Sequence, residues 1–479
     1  MKRLLFLSLF VFTFLSAQAQ SAAQRRDQWV DSVMRTFSLD DKVHQVLMLR
    51  VPAQNAKPKD IKAFERLVRE QKVGGICFFK GTSATQLQRT IKYQRMARFP
   101  LLVSIDGEWG LGMRLTDGYS FPYQMMMGAL SRPNDTLISA MGREVAAHCK
   151  MMGIHVDFAP VVDLNTNPQN PVIGSRSFGE DKVRVSEKAI LYAQALQKGG
   201  VLAVAKHFPG HGDTDVDSHI GLPTISHPKA YIDSVDLYPF RRLAKAGCRG
   251  MMVAHLQVKA LDNGPSSTSS RIVNQLLRKE MGFKGLIFTD GMEMGGITKN
   301  YTKGEAEVRA LEAGCDVVLL PNNVEEAIRA IRHRAKEDAA FAAMLDEKCR
   351  NILREKYRLG LAKLSLDEMA VPSRMDCDHC RRITEQIATK ALTLVRNENG
   401  VLPFGEKERV ACFAIGSCDT AITAVTDAVA QRLAQADKVL LHLHGRLTLT
   451  KDKNYGFSSA DQDLVRQIVA FNPRTVVVI

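Results

Sequence analysis

Short apolar runs alternate with amphipathic stretches between residues 45 and 321. Each run is four to eight residues long, which is typical of strands buried on both faces of a parallel sheet. The eight runs are Gln45–Arg50, Gly75–Phe79, Leu101–Asp106, His155–Pro160, Ala203–Phe208, Gly250–His255, Gly285–Asp290 and Asp316–Pro321. The stretches between them, such as Ser186–Gln197, have the periodicity of amphipathic helices. The pattern therefore predicts eight βα units.

Eight βα units in roughly 300 residues match the size of a (β/α)8 barrel with insertions. An open, doubly wound sheet also alternates strand and helix, and it is the alternative fold. The count of eight strands and the polar residues at their ends favour the barrel. We therefore predict an α/β fold, with a TIM-type (β/α)8 barrel over residues 28–370.

A second α/β pattern follows the barrel. A helical stretch at Arg381–Thr393 falls within a predicted linker, 371–400, which ends in a turn-rich sequence. Strand-like runs then occur at Val410–Ile415, Lys438–His444 and Thr475–Ile479. Three strands are few for a stable sheet. Residues 401–479 are thus predicted to begin a partial α/β sandwich domain that continues beyond Ile479.

The N-terminus has the features of a signal peptide. Lys2 and Arg3 precede an apolar run from Leu4 to Leu15, and Ala17-Gln18-Ala19 is a small-residue cleavage site. Residues 1–19 are therefore predicted to be removed on export to the periplasm or the extracellular space. The apolar run is shorter than the roughly 20 residues of a transmembrane helix, and we expect no membrane span.

Composition narrows the class of protein. The 479 residues are 45% hydrophobic and 24% charged, which is typical of a soluble globular chain. The net charge is +14, but the basic residues are scattered among acidic ones, as in Lys57-Pro58-Lys59-Asp60. This distribution favours solvated helix faces over a nucleic-acid-binding surface. We expect no nucleic-acid partner.

The chain has nine cysteines, and two of them form a CxxC motif, Cys377 and Cys380. A zinc site would need a fourth ligand and usually a second pair. A local disulfide is the alternative in an oxidising compartment. The sequence leaves the role of this pair open.

Polar residues cluster at the predicted carboxyl ends of the strands, where barrel enzymes carry their catalytic groups. The third run ends at Asp106, the fifth contains Lys206 and His207, the sixth ends at His255 and the seventh at Asp290. A single polar residue at a strand end would be explained as a cap or as part of a solvated turn. Their convergence on one rim predicts a site for a polyhydroxylated ligand.

The segment after the fifth strand is rich in ionisable groups. Residues 206–219 contain three histidines and three aspartates, with glycines and a proline that exclude a regular helix. Such a set could hold a metal, although the spacing matches no helical or Cys/His zinc pattern. The alternative is acid–base chemistry, in which an aspartate fixes the tautomer of a histidine.

The motifs resemble glycoside hydrolase family 3, in its N-acetyl-β-glucosaminidase branch. The resemblance rests on Lys206-His207-Phe208-Pro209-Gly210-His211-Gly212 with Asp217-Ser218-His219, on Ser104-Ile105-Asp106-Gly107-Glu108, on Val172-Ile173-Gly174-Ser175-Arg176-Ser177-Phe178-Gly179, and on Phe288-Thr289-Asp290-Gly291-Met292-Glu293-Met294. It extends from about Leu39 to Leu364. It implies a retaining β-N-acetylhexosaminidase that hydrolyses terminal β-linked N-acetylglucosamine. Because the chain is predicted to be exported, peptidoglycan fragments or chitin-type oligosaccharides are the expected substrates. We expect no cofactor and no metal.

The resemblance also implies residue roles. Asp290 would be the nucleophile, His219 the general acid/base, and Asp217 the group that orients His219. The residues that would bind the sugar are Asp106, Arg114, Arg176, Lys206 and His207. His211 and His255 are expected either to be structural or to support the residues that contact the substrate.

One segment departs from the family pattern. After Asp106 the family usually has Glu-Gly-Gly-Arg, whereas this chain has Glu108-Trp109-Gly110-Leu111, and Arg114 keeps the spacing of the second arginine. Trp109 is either an aromatic sugar platform or a packed tryptophan at the rim.

Two alternative functions remain. One is a β-glucosidase or β-xylosidase of the same family, and the other is a non-catalytic sugar-binding barrel.

Overall fold

A computed structural model describes residues 22–218, 220–367, 369, 375–397, 400–445 and 456–478. The strands in chain order are β1 Leu47–Arg50, β2 Gly75–Cys77, β3 Leu102–Ile105, β4 Val156–Asp157, β5 Leu202–Phe208, β6 Thr224–Ile225, β7 Gly250–Val253, β8 Gln257–Val258, β9 Leu286–Thr289, β10 Val318–Leu319, β11 Val410–Gly416, β12 Lys438–His444 and β13 Thr475–Val478. Eight of them, β1–β5, β7, β9 and β10, form one parallel sheet.

That sheet closes into a barrel. Its strand order is β10-β1-β2-β3-β4-β5-β7-β9. A parallel bridge between Phe288 and Val317 joins the two ends of this order. The predicted (β/α)8 barrel is therefore confirmed, and the open-sheet alternative is excluded. Seven of the predicted apolar runs contain a barrel strand, and β5 begins one residue before the fifth run, at Leu202.

Helices surround the barrel strands. The helices are α1 22–34, α2 Leu39–Gln45, α3 Pro58–Glu70, α4 Ser83–Met96, α5 Gln124–Gly128, α6 Thr136–Met151, α7 Lys182–Lys198, α8 Lys229–Ser234, α9 Tyr238–Lys245, α10 Gly295–Thr298, α11 Glu305–Ala313, α12 Val324–Glu337, α13 Ala339–Arg358, α14 Asp378–Ala391, α15 Asp427–Gln435 and α16 Ser459–Phe471. A π-helical segment, Arg271–Glu280, follows β8. Within the described part of the chain, no helix has both the length and the apolar character needed to cross a bilayer.

Local sequence explains where α7 begins and how it packs. The side chain of Asp181 accepts hydrogen bonds from the amides of Val183 and Arg184, which otherwise lack partners in the first helical turn. Tyr192 and Leu196, four residues apart, are fully buried. An N-capped helix with one apolar stripe is the expected outer layer of a barrel.

The barrel interior is closely packed. All residues of β3, β5, β7 and β9 are buried. Phe158 and Phe288 meet edge to face with ring centroids 5.5 Å apart. Because the interior is filled by side chains, the open space for a ligand lies at the strand ends and in the loops that follow.

The C-terminal part has its own small core. The strands β11, β12 and β13 form a three-stranded parallel sheet with β12 in the centre. Apolar residues of β11 and β12 form a cluster with those of α15 and α16, separate from the barrel cluster among the described residues. The last predicted strand ends at Ile479, which lies outside those residues.

The predicted linker contains a helix that packs on the barrel. Cys380, Ile383 and Ile387 of α14 are part of the barrel core, although they fall within the predicted linker 371–400. The predicted signal peptide, 1–19, lies outside the described residues. The domain boundaries proposed from sequence stay predictions.

Candidate active site

A cavity of about 370 Å³ lies at the carboxyl ends of the barrel strands. Its polar lining consists of Arg50, Asp106, Glu108, Arg114, Arg176, Lys206, His207, His211, Ser218, Asp290 and Glu293. Apolar side chains, among them Phe158, Met252 and Leu319, complete the wall. A concave site with an apolar wall and a few converging polar groups is typical of small-ligand binding.

The structure brings together six of the residues predicted for the site. The six that line the cavity are Asp106, Arg114, Arg176, Lys206, His207 and Asp290. Asp106 directly follows β3, Lys206 and His207 belong to β5, and Asp290 directly follows β9. Parallel strands in a closed barrel end at one rim, so residues far apart in sequence meet there.

Lys206 is the centre of an ion-pair network. Its Nζ lies 2.8 Å from Oδ1 of Asp106 and 2.7 Å from Oε1 of Glu108. Arg114 pairs with the other carboxylate oxygen of Asp106 at 2.5 Å. The buried Nε of Arg114 has no hydrogen-bond partner among the described residues. This donor of Arg114 therefore takes no part in the network.

Glu108 links Arg176 to this network. The guanidinium of Arg176 donates from Nε and Nη2 to the two carboxylate oxygens of Glu108, at 2.9 and 2.7 Å. Such a bidentate pair fixes both the position and the plane of the guanidinium. Sequence reasoning assigned no role to Glu108. Its position two residues after Asp106, at the same strand end, was the available signal.

The network is ionised at neutral pH. Burial disfavours the charged carboxyl of Asp106, but the charges of Lys206 and Arg114 outweigh burial and lower its pKa to about 2. For Glu108, too, burial is opposed by Arg176 and Lys206, and the pKa falls. Burial also opposes the charge of Lys206, yet its two carboxylate partners raise its pKa. Buried charges of this kind are tolerated because each is paired.

Asp290 presents a carboxylate to the same cavity. Its backbone amide donates to the carbonyl of Val253 at 2.9 Å, and its Oδ1 accepts from the amide of Gly291 at 2.8 Å. Burial raises the pKa of Asp290, but nearby His207 and His255 more than offset burial, and the pKa lies below its usual value. Asp290 is thus held in the anionic form that a nucleophile needs.

His207 is fixed by a buried aspartate that sequence reasoning missed. Nδ1 of His207 lies 2.7 Å from Oδ2 of Asp163, which also accepts from the His207 amide at 3.1 Å. Oδ1 of Asp163 accepts from the amide of His211 at 2.7 Å. Asp163 lies just beyond the fourth apolar run, so the strand-end rule pointed to its neighbourhood.

The segment after β5 has its own hydrogen bonds. His211 lies between Thr214, whose Oγ1 is 2.7 Å from Nδ1, and Ser218, whose Oγ is 3.1 Å from Nε2. Burial, reinforced by the charge of His207, lowers the pKa of His211 to about 4. A neutral imidazole with a hydrogen-bond partner at each ring nitrogen agrees with a structural role. Asp213 pairs with His227.

Of the predicted acid–base pair, Asp217 and His219, the structure describes only Asp217. The carbonyl of Asp217 accepts from the amides of Ile220 and Gly221, at 2.9 and 3.1 Å. The side chain of Asp217 is half-buried and does not line the cavity, whereas the adjacent Ser218 does. His219 lies outside the described residues.

Metal binding by this segment receives no support from the described residues, which exclude His219. Three donors that could share one ion occur only at Glu144, Cys377 and Cys380, all outside the segment.

Trp109 packs on Tyr123, with ring centroids 4.5 Å apart, and does not line the cavity. Of the two expectations for Trp109, the geometry matches the packed rim residue.

His255 is a buried histidine at the end of the sixth barrel strand. Its Nδ1 lies 2.7 Å from Oγ of Ser267, and its Nε2 lies 3.1 Å from the carbonyl of Gly291. These contacts tie the segment after β7 to the residue that follows Asp290. The expected structural role of His255 agrees with this geometry.

The polar cavity, with its ionised carboxylate among fixed cationic donors, lies at the strand ends, where (β/α)8-barrel enzymes carry their catalytic groups. Residues 38–355 match the sequence model described as Glycosyl hydrolase family 3 N terminal domain. The chain therefore belongs to glycosyl hydrolase family 3.

Individual relatives show how far the similarity extends. Beta-hexosaminidase A of Pseudoalteromonas piscicida is 33% identical over 358 residues, which are 68% of this chain and 58% of that protein. Beta-hexosaminidase of Nitrosomonas eutropha is 35% identical over 263 residues, 53% of this chain and 75% of that protein. The chain thus spans little more than half of the first relative.

Solved structures give a similar result. The family 3 β-N-acetylglucosaminidase of Paenibacillus sp. str. FPU-7 superposes with a TM-score of 0.74 at 27% identity, covering 92% of this chain and 90% of that one. The β-N-acetylhexosaminidase of Beutenbergia cavernae superposes with a TM-score of 0.59 at 26% identity, covering 66% of this chain and 98% of that one.

Proposed function

We propose that the chain is a retaining β-N-acetylhexosaminidase that releases terminal β-linked N-acetylglucosamine. The observation that carries the proposal is the ionised Asp290 in the same cavity as five predicted sugar-binding residues. Membership of family 3 and the beta-hexosaminidase names of the relatives support it.

The proposed first step is attack by Asp290 on the anomeric carbon. The Asp290 carboxylate displaces the leaving oxygen and forms a covalent glycosyl-enzyme, which water then hydrolyses with net retention. The hydrogen bond from the Gly291 amide holds one carboxylate oxygen in place.

The ion-pair network is proposed to bind the sugar. The Asp106 carboxylate accepts hydrogen bonds from sugar hydroxyls, while Arg114, Arg176, Lys206 and His207 donate to hydroxyl and amide oxygens. Because these groups already hold one another in place, little side-chain entropy is lost when the ligand binds.

His219 is proposed as the general acid and base, oriented by Asp217. It would protonate the leaving oxygen in the first step and remove a proton from water in the second. Support comes from the family motif and from Ser218, the preceding residue, which lines the cavity. The proposed chemistry uses no metal and no cofactor.

Chromogenic substrates test the proposed activity directly. We expect rapid release of nitrophenol from the N-acetyl-β-glucosaminide, much slower release from the matching glucoside, and first formation of the β-anomer of the sugar by NMR. Asp290→Asn preserves shape but removes the charge, and it should reduce kcat by about 10³-fold or more.

Three outcomes contradict the proposal, each in its own way. Faster release from the glucoside would favour a β-glucosidase or β-xylosidase. Binding of the amino sugar without release of either product would favour a sugar-binding barrel. First formation of the α-anomer would refute the retaining mechanism.

His219→Ala tests the acid role. This variant should keep most activity on aryl glycosides with a good leaving group and lose far more on alkyl glycosides, because only the latter need protonation. Ser218→Ala is the neighbouring control and should affect both substrates alike. Equal losses in His219→Ala would count against His219 as the acid.

We further propose that the chain is exported and acts on peptidoglycan fragments or chitin oligomers. The basic start, apolar run and small-residue site of residues 1–19 support export. N-terminal sequencing of the mature protein should find a start close after Ala19. Product analysis on muropeptides and on chitobiose separates the two substrate classes.

A further inference from the structure

The CxxC motif lies at the N-terminus of α14, outside the cavity. Cys377 occupies the N-cap position, and its sulfur accepts a hydrogen bond from the amide of Cys380 at 3.4 Å. Cys380 lies in the first turn of this 14-residue helix. None of the proposed hydrolytic steps involves either thiol.

The two sulfurs differ in accessibility but are in contact. They lie 3.1 Å apart. Cys377 is partly exposed, whereas Cys380 is fully buried. A reagent in solution can therefore reach the sulfur of Cys377 first, and the sulfur of Cys380 is already beside it.

The surroundings make the two thiols chemically unequal. Burial raises the pKa of Cys377, but hydrogen bonds from the Cys380 thiol and from backbone amides outweigh burial, and the pKa falls below its usual value. The positive end of the helix favours a thiolate there as well. Burial and the neighbouring Cys377 raise the pKa of Cys380 to about 12.

Charged groups from two elements also face the pair. Glu144 of α6 lies beside both sulfurs. Its Oε1 lies 3.4 Å from Nε2 of His379. Arg381 is paired with Asp376 and Asp378. The carboxylates therefore oppose a thiolate at Cys377, and the helix N-terminus with its hydrogen bonds favours it.

We propose that Cys377 and Cys380 form a reversible dithiol–disulfide pair, in which Cys377 attacks a low-molecular-mass disulfide and Cys380 resolves the product. The juxtaposed sulfurs, the N-cap position of Cys377 and the burial of Cys380 carry this proposal. It does not depend on the hydrolytic function.

The exchange balances in two steps. The Cys377 thiolate attacks one sulfur of the disulfide reagent, the reagent's S–S bond breaks, and one thiolate leaves. Cys380 then gives its proton to solvent and attacks the Cys377 sulfur, which expels the second thiolate. The protein loses two electrons and the reagent gains them.

The geometry disfavours a metal at this place. Among the described residues, the candidate ligand group contains only three donors, Glu144 and the two cysteines. Structural zinc sites use four ligands. Two thiolates on one tetrahedral zinc would lie roughly 3.8 Å apart, given Zn–S bonds of about 2.3 Å, which is wider than the observed contact.

Glutathione exchange followed by mass spectrometry tests the proposal on the full chain. In the wild type, oxidised glutathione should convert the peptide around Cys377 to its internal disulfide without a lasting adduct. Cys380→Ser should accumulate a glutathione adduct at Cys377. Cys377→Ser should react about tenfold or more slowly. The exposed Cys412 of β11 is an internal reference thiol in every sample.

Two results would overturn the proposal. One is equal alkylation rates for Cys377 and Cys412 in the reduced wild type, a measurement that needs no variant. The other is one zinc ion per chain in the purified protein, absent from Cys377→Ser, which would assign the pair to a metal. Loss of hydrolytic activity in these variants would support neither the dithiol–disulfide pair nor the metal site.

Discussion

Asp163 binds the backbone amide and the imidazole of His207 in β5, and the backbone amide of His211 in the segment that follows. Its side chain is fully buried, and both oxygens are used. A single carboxylate therefore positions His207 in the cavity and the start of the segment that contains Asp217. We regard Asp163 as a positioning residue.

Asp163→Asn should lower kcat/KM by about 10- to 100-fold, because the amide loses one charge-assisted acceptor worth about 1.5–3 kcal/mol. Asp213→Asn is the matched control in the same segment, and it should cost less than about threefold since the Asp213–His227 pair is partly exposed. Chromogenic turnover at constant protein stability measures both. Equal losses would refute the positioning role.

Asp157 is a second buried carboxyl, and its pKa is raised, whereas that of Asp163 is lowered. Its Oδ1 accepts from the Gly107 amide at 2.7 Å, while its Oδ2 has no partner among the described residues. Burial raises its pKa to about 7, and the charges of Asp106 and Glu108 add to this. Unlike Asp106, Asp157 has no cation in direct contact in the described part of the chain.

This balance predicts a pH effect on stability. Between about pH 4 and 7 the folded protein keeps the Asp157 proton that the unfolded chain releases, so the free energy of unfolding falls as pH rises through this window. The slope approaches about 1.4 kcal/mol per pH unit. Asp157→Asn cannot ionise and should remove this slope.

Urea denaturation at pH 5 and pH 8 measures the effect. The variant should be more stable than the wild type at pH 8 by about 1–3 kcal/mol, an upper range from the same linkage. Asp367→Asn changes an exposed carboxyl and serves as the control. An unchanged pH slope in Asp157→Asn would contradict the assignment.

At the scale of elements, the segment after β5 is held against the segment after β4 by close backbone contact. A Cβ atom at Gly212 would lie 1.6 Å from the carbonyl oxygen of Leu164. Only glycine permits this approach. The second glycine of the Gly-His-Gly motif therefore sets the distance between the two segments.

Gly212→Ala should displace the segment that contains Asp217 and reduce kcat by about tenfold or more, as misplacement of a catalytic group does. Gly264→Ala is the control, since its Cβ would meet nothing closer than a Tyr301 oxygen at 3.9 Å. Chromogenic assays with thermal melts separate displacement from unfolding. Wild-type turnover in Gly212→Ala would show that the segment adapts.

At the scale of the whole molecule, the buried apolar residues that the structure describes form two clusters. The barrel cluster extends from Val30 to Ala391, and the smaller cluster contains nine buried residues between Ala411 and Ile468. A core of that size buries little apolar surface and is marginally stable. We expect the two clusters to unfold in separate transitions.

Leu441→Ala tests this expectation, since Leu441 is fully buried in the central strand β12. The loss of about 2–5 kcal/mol should shift only the less stable transition. Ile287→Ala in β9 is the matched barrel variant and should shift only the other. A single transition that responds equally to both variants would contradict the expectation.

The sequence was sufficient to predict the barrel and the position of six residues at one cavity. Strand runs of five or six residues are repeated eight times, and residues at strand ends meet at one rim for topological reasons. This is why Asp106, Lys206 and Asp290 could be assigned together. The glycines and histidines of the segment after β5 could be recognised as a motif, but their contacts could not be deduced.

Tertiary structure was needed for the partners of each group. The ionisation of Asp106, Glu108 and Asp157 depends on which cations lie in contact with each carboxyl, and no sequence spacing encodes those contacts. The same is true of Asp163 with His207 and of Cys377 with its buried neighbour. Apolar periodicity is local and repeats along the chain, whereas charge pairing and burial arise only when distant segments pack together.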